Sequence, residues 1–130
     1  MIRTILAFAL CSCALSFAQL QQHELPRVTK FDCPSYPSEA ASVRLQGMVQ
    51  LEVTTDGHQV SKVKLISGHP LIAGAAVENV RTWQFAEHNP TTFSVTYFYV
   101  FDGSYKRDKA TNCSAKLELP SKVTVSLPRP

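Results

Sequence analysis

The chain is short of the residues on which small folds without a core depend. Cysteine occurs four times in 130 residues, too sparsely for a disulfide-dense miniprotein. Glycine occurs five times and never as a phosphate-cradling run, which excludes a nucleotide loop. Charged residues make up 18%, and the net charge of +3 is spread along the chain. Without a concentrated basic stripe, a nucleic-acid partner is not expected. His23, His58, His69 and His88 show neither His-x-His nor i,i+4 spacing, and no Cys-x-x-Cys occurs. No metal site and no cofactor are therefore expected. A Gly-x-Ser-x-Gly elbow is missing, and Glu52, Asp56 and Glu87 suggest no catalytic carboxylate pair. Nothing points to an enzyme.

Apolar residues reach 45%, enough for one globular domain and too many for a disordered chain. Part of that share is concentrated at the start. Arg3 precedes a nearly unbroken apolar run, Ile5 to Phe17, and Ser16-Phe17-Ala18 carries small residues at the −3 and −1 positions of a cleavage site. Residues 1–18 read as a signal peptide, since a membrane span needs about 20 apolar residues. The mature protein is expected to be exported, periplasmic or secreted. Retention of the segment as an anchor is the alternative. Cys11 and Cys13 leave with the signal, and Cys33 and Cys113 remain. In an oxidising compartment that pair reads as a disulfide. It closes a loop of about 80 residues, worth about 4.5 kcal/mol on the chain-entropy account. A reactive thiol is the competing reading.

Residues 19–35 form a polar arm, and 36–101 carry the periodic pattern. A first helix is expected over 36–47, with Pro37 in its first turn and Gly47 past its end. Val49, Leu51 and Val53 alternate with Gln50, Glu52 and Thr54, as in a half-buried strand. Asp56-Gly57 predicts a two-residue hairpin turn. The return strand 59–67 loses its parity after Val60, which predicts a bulge. A second helix over 71–83 places Leu71, Ala75, Ala76, Val80 and Trp83 on one face, with Asn79 on the wet side. A long strand follows, Phe93 to Phe101, free of proline and charge. Residues 102–130 are loop and tail, with a β-like pattern from Ala115 to Leu127.

This order predicts an α+β fold: a three-stranded antiparallel sheet with two helices on one face, to which the tail can add a strand. Trp83 and Phe85 are expected in the core, the alternative being contact aromatics at an interface. The strand Phe93–Phe101, with Phe93, Val95, Tyr97, Tyr99 and Phe101 on one face, is the candidate site. If it is an edge, its free main-chain groups pair within the fold, pair with a second copy, or take up a peptide.

Several pieces stand in a distinctive order: Tyr36-Pro37-x-x-Ala40, Gly47-x-Val49-x-Leu51-x-Val53, Asp56-Gly57, Ser67-Gly68-His69-Pro70-Leu71 and Val80-Arg81-x-Trp83-x-Phe85. Together they resemble the C-terminal domain of TonB, the energy transducer, over about Tyr36 to Phe101. The resemblance implies a non-enzymatic domain that grips a segment of an outer-membrane protein by strand addition to its last strand, here Phe93–Phe101. It also implies that Tyr36-Pro37 anchors the first helix and that Trp83 and Phe85 close the core. A transducer additionally needs an anchor and a long Pro-rich spacer. Residues 19–35 span at most about 60 Å. The expectation is a stand-alone exported binding module, with a truncated anchored transducer as the alternative. The tail acts either as a permanent strand or as a displaceable plug on the same edge.

Overall fold

A computed structural model describes residues 25–102 and 115–128. The expected signal peptide and Cys113 lie outside them. Strand β2 (Gly47–Thr55) pairs antiparallel with β3 (Val60–Ser67) and, on its other side, with β5 (Thr92–Phe101). This three-stranded unit is the expected one, but it is part of a larger sheet. Strands β6 (Ala115–Glu118) and β7 (Lys122–Leu127) extend it to five strands in the order β3-β2-β5-β7-β6. The sheet is mixed, because β7 runs parallel to β5.

The mixed topology follows from the burial pattern. The chain leaves β5, returns antiparallel as β6 on the outside, and turns at residues 119–121 so that β7 fits between. Val123 and Val125 of β7 are fully buried, whereas Ala115 and Leu117 of β6 are only half-buried. The strand with the stronger apolar alternation takes the inner position.

Helices α1 (Ser38–Ser42) and α2 (Pro70–Arg81) accompany the sheet. Both are displaced from the sequence expectation. Helix α1 is five residues long and stops well before Gly47. Its end is a left-handed Arg44 at φ 55°, with Leu45 N–H bonded to Ala40 O at 2.9 Å and Arg44 N–H to Ala41 O at 3.1 Å. Gly47 instead opens β2, where a Cβ would sit 3.1 Å from Ile72 Cδ1. Helix α2 starts from a His69 cap, whose Nδ1 accepts the Leu71 N–H at 3.1 Å. Its buried face is Ile72, Ala73, Ala76, Asn79 and Val80, one residue round from the expected stripe, and Leu71 is exposed. Trp83 lies beyond the helix.

The β2–β3 connection is a four-residue turn rather than a two-residue one. Asp56 Oδ1 accepts from the N–H groups of His58 and Gln59 at 2.9 and 2.8 Å. Those two bonds hold the Asp56 carboxyl below its ordinary pKa. Gly57 has φ 110°, and a Cβ there would lie 2.8 Å from the His88 carbonyl oxygen. His88 packs over this turn and is not a free loop residue. Its Nε2 lies 2.6 Å from Thr55 Oγ1, and its Nδ1 lies 2.8 Å from Ala86 O. The expected irregularity after Val60 is present, with Ser61 as the extra residue, and a second one leaves Ile66 unmatched.

The arm is partly structured. Strand β1 (Val28–Lys30) pairs antiparallel with β4 (Gln84–Phe85) in a second, two-stranded sheet.

Candidate partner-binding edge

Strand β5 alternates buried and outward-facing residues, and the alternation fixes what each can do. Phe93, Val95, Tyr97 and Tyr99 are 7%, 1%, 0% and 0% exposed, so their side chains form core and present nothing to a partner. Phe101, the fifth residue of the expected binding row, is half-buried and stacks on Tyr36 with ring centroids 5.4 Å apart. The side chains on the open face are Ser94, Thr96, Phe98 and Val100. Lys122 covers the Phe98 ring at 5.1 Å.

What the strand offers is main chain. The odd-numbered residues turn their N–H and C=O groups toward β2. The bond from Thr55 N–H to Thr91 O at 2.9 Å fixes that parity. The even-numbered residues face β7: Thr96 donates to Ser121 O and Asp102 to Leu127 O, both at 2.9 Å. The strand expected as an edge is therefore internal from Thr96 to Phe101. Pairing with a second copy, or with a peptide, along that stretch requires β7 to leave. The ladder begins at Thr96↔Lys122, so Thr92 and Ser94 carry the same outward-facing groups with no strand beside them among the described residues.

The outer margins of the sheet are less receptive. Strand β3 carries Lys62 and Lys64 and is irregular near both ends, features that blunt an edge. Strand β6 is four residues long, with Glu118 held by Lys116 at 3.4 Å and by Lys122 at 3.8 Å. A cleft of about 270 Å³ beside β3 is lined by Val60, Ser61, Lys62, Val63 and Arg81.

Tyr36, Trp83 and Phe85 support this strand from beneath, against Tyr99, Tyr97 and Phe93 in turn. Trp83 is 1% exposed and Phe85 5%, with ring centroids 6.5 Å apart and Trp83 lying 6.3 Å from Tyr97. Both are core. Pro37 precedes α1 as its cap residue, and the Tyr36 hydroxyl donates to Leu45 O. Cys33 is exposed, and its expected partner Cys113 is outside the described residues.

Sequence reasoning missed Asn79. It is 9% exposed and sits at the centre of a polar network. The Tyr97 hydroxyl donates to Asn79 Oδ1 at 2.7 Å, and Asn79 Nδ2 donates to Asp32 O at 2.9 Å. Asp32 N–H then donates to Thr82 Oγ1 at 3.0 Å, which ties the arm to α2 and β5. The signal was the spacing, since Ile72, Ala76, Asn79 and Val80 follow one helical stripe. Burial raises the Tyr97 and Tyr99 hydroxyls far above the ordinary phenol range, and each is pushed further by a neighbouring tyrosine. The Tyr99 hydroxyl has no hydrogen-bond partner among the described residues.

Among the described residues there is no cluster of three or more His, Cys, Asp or Glu able to hold a metal, and no helix long and apolar enough to cross a membrane. No curated protein matches the chain. A family profile, described as Gram-negative bacterial TonB protein C-terminal, matches residues 32–102 and stops directly after β5, leaving β6 and β7 outside it. The chain belongs to the family of TonB C-terminal domains.

Proposed function

We propose that this protein-interacting module of envelope transport is exported, non-enzymatic and free-standing, and that it takes up an extended segment of an envelope or outer-membrane protein as an added strand along β5. One observation carries the reading. The outward-facing main chain of β5 already accepts a strand laid parallel to it, and among the described residues no strand covers the outward groups of Thr92 and Ser94. Strand addition draws its affinity from such main-chain groups and its selectivity from alternate side-chain positions. The partner strand exchanges with β7. Displacing β7 exposes Val123 and Val125, each worth about 1.5–3 kcal/mol of burial, and an incoming strand with similar residues restores it.

The test places a photoreactive residue at Ser94 or, as a control on the opposite margin, at Lys62, in the full chain expressed in a Gram-negative host. Cross-links to an envelope protein from Ser94 and not from Lys62 are expected. Cross-links from Lys62 alone would move the site to β3 and defeat the proposal. Sequencing the mature N-terminus checks the export reading: Gln19 is expected, and Met1 would favour the anchored alternative.

A further inference from the structure

We infer that an incoming strand is captured first at Thr92–Val95, a landing subsite that the chain's own β7 cannot reach, and that its residue opposite Ser94 bears an apolar side chain. This inference rests on the strand-addition reading above and specifies how that site is approached.

The ladder gives the geometry. Residue 96 of β5 donates to residue 121 and residue 102 to residue 127, a constant offset of parallel pairing. Extended by two residues toward the start of β5, the same offset brings an added strand beside Ser94. The chain's own course turns away there, because residues 119–121 form the turn into β7. A separate strand faces no such turn. It can bond to the Ser94 N–H and C=O and then run on in the line of β7.

In a parallel pair the residue opposite Ser94 points to the same face as Ser94, the open one. Ser94, Val95 and Thr96 form one wall of a dent of about 120 Å³ on that face, with Gln50, Leu51 and Ile66 completing it. Ile66, the unmatched residue of β3, is 51% exposed. Ser94 is small, so a long apolar side chain from the added strand can lie across it toward Ile66. A partner that only reproduces β7 is at a disadvantage against a strand held in the same molecule, whose effective concentration is high. One that also occupies the landing subsite gains main-chain bonds which β7 cannot match.

Two fluorescent peptides test this with the full chain. One copies β7, Lys-Val-Thr-Val-Ser-Leu; the other adds Thr-Val-Leu-Thr in front. The offset directs the N–H of the fourth residue of the longer peptide at the Ser94 carbonyl, and that of the third residue away from β5. The longer peptide is expected to bind at least about tenfold more tightly. N-methylation of its fourth residue should abolish that gain, and N-methylation of its third should not. Replacing its leucine by serine should weaken binding. Hydrogen exchange should slow at the Ser94 amide and quicken at Val123 and Val125. Equal affinity of the two peptides, or indifference to the fourth-residue methyl group, overturns the landing subsite and leaves strand addition standing. Failure of both peptides while Ser94 still cross-links in cells also overturns the subsite alone. Loss of peptide binding and cross-linking together overturns the parent reading as well.

Discussion

Removing Asn79 should do more damage than its place on the expected wet side of the helix suggests. In Asn79→Ala the Tyr97 hydroxyl, on a residue 0% exposed, loses its acceptor. An orphaned buried donor costs about 1–3 kcal/mol. The Asp32 carbonyl loses the Nδ2 donor, but Asp32 is exposed and water replaces it, so that end costs about 0.5–1.5 kcal/mol. Alanine's better helix propensity returns about 0.6 kcal/mol within α2. The net expectation is a loss of about 1–4 kcal/mol, a sizeable share of the stability of a domain this small. Urea denaturation measures it, and Tyr97→Phe completes a double-mutant cycle. Because the two side chains share one bond, the double mutant should be less destabilised than the sum of the singles, by about 1–2 kcal/mol. Faster amide exchange at Asp32 and Val28–Lys30 should accompany Asn79→Ala, since Asn79 ties the arm down. A loss below about 0.5 kcal/mol, or strict additivity in the cycle, would refute the network as described.

Tyr99→Phe should be neutral or stabilising by up to about 1 kcal/mol in the same assay, because it deletes a buried hydroxyl without a partner among the described residues. Arg44→Gly should stabilise by about 1 kcal/mol by removing a side chain from a left-handed residue, and a destabilised variant would show that Arg44 makes a compensating contact. Cys33 and Cys113 are expected to form a disulfide, so reduction should add the mass of two hydrogens, whereas two alkylatable thiols in the unreduced protein would exclude the bond. Asp56 has a lowered carboxyl pKa in the folded state, so its turn supports folding fully above the ordinary value of 3.8. That support fades as pH falls through the lowered value, and Asp56→Asn should flatten the acid limb of the stability profile.

The parts legible in the sequence are those in which a single period dominates. Val49, Leu51 and Val53 alternate cleanly, and β2 lies where the alternation puts it. The turn signal of Asp56-Gly57 holds as a turn. Its length was not legible, because the two side-chain bonds of Asp56 and the close approach of His88 set it. Helix α1 ends early because Arg44 accepts a conformation usually left to glycine, which no pattern announces. The largest gap concerns the candidate site. Residues Phe93–Phe101 read as an edge from the absence of proline and charge. Whether a strand is an edge depends on partners distant in sequence, and here Lys122–Leu127 supply them. The parity of main-chain groups was hidden for the same reason. A proline at Val95 would cut the ladder to β2, and only an even-numbered position reports on the outer side.

The inner position of β7 has a consequence for how the chain acquires its fold. The β2–β3 hairpin joins near neighbours; β5 pairs with β2 across 38 or more residues and β7 with β5 across 26, but β7 is the last strand to emerge from synthesis. Long-range parallel pairing is slow, since chain closure must precede any contact that rewards it. The hairpin, α2 and β5 can therefore assemble into a recognisable sheet while the C-terminal strands are still searching. In that interval the aromatic-backed main chain of β5 is bare along its whole length, ten residues without a proline or a charge. Such an intermediate is prone to pair with its own kind. Crowded conditions that delay the docking of β7 should therefore show first as self-association through β5, before any loss of helix content.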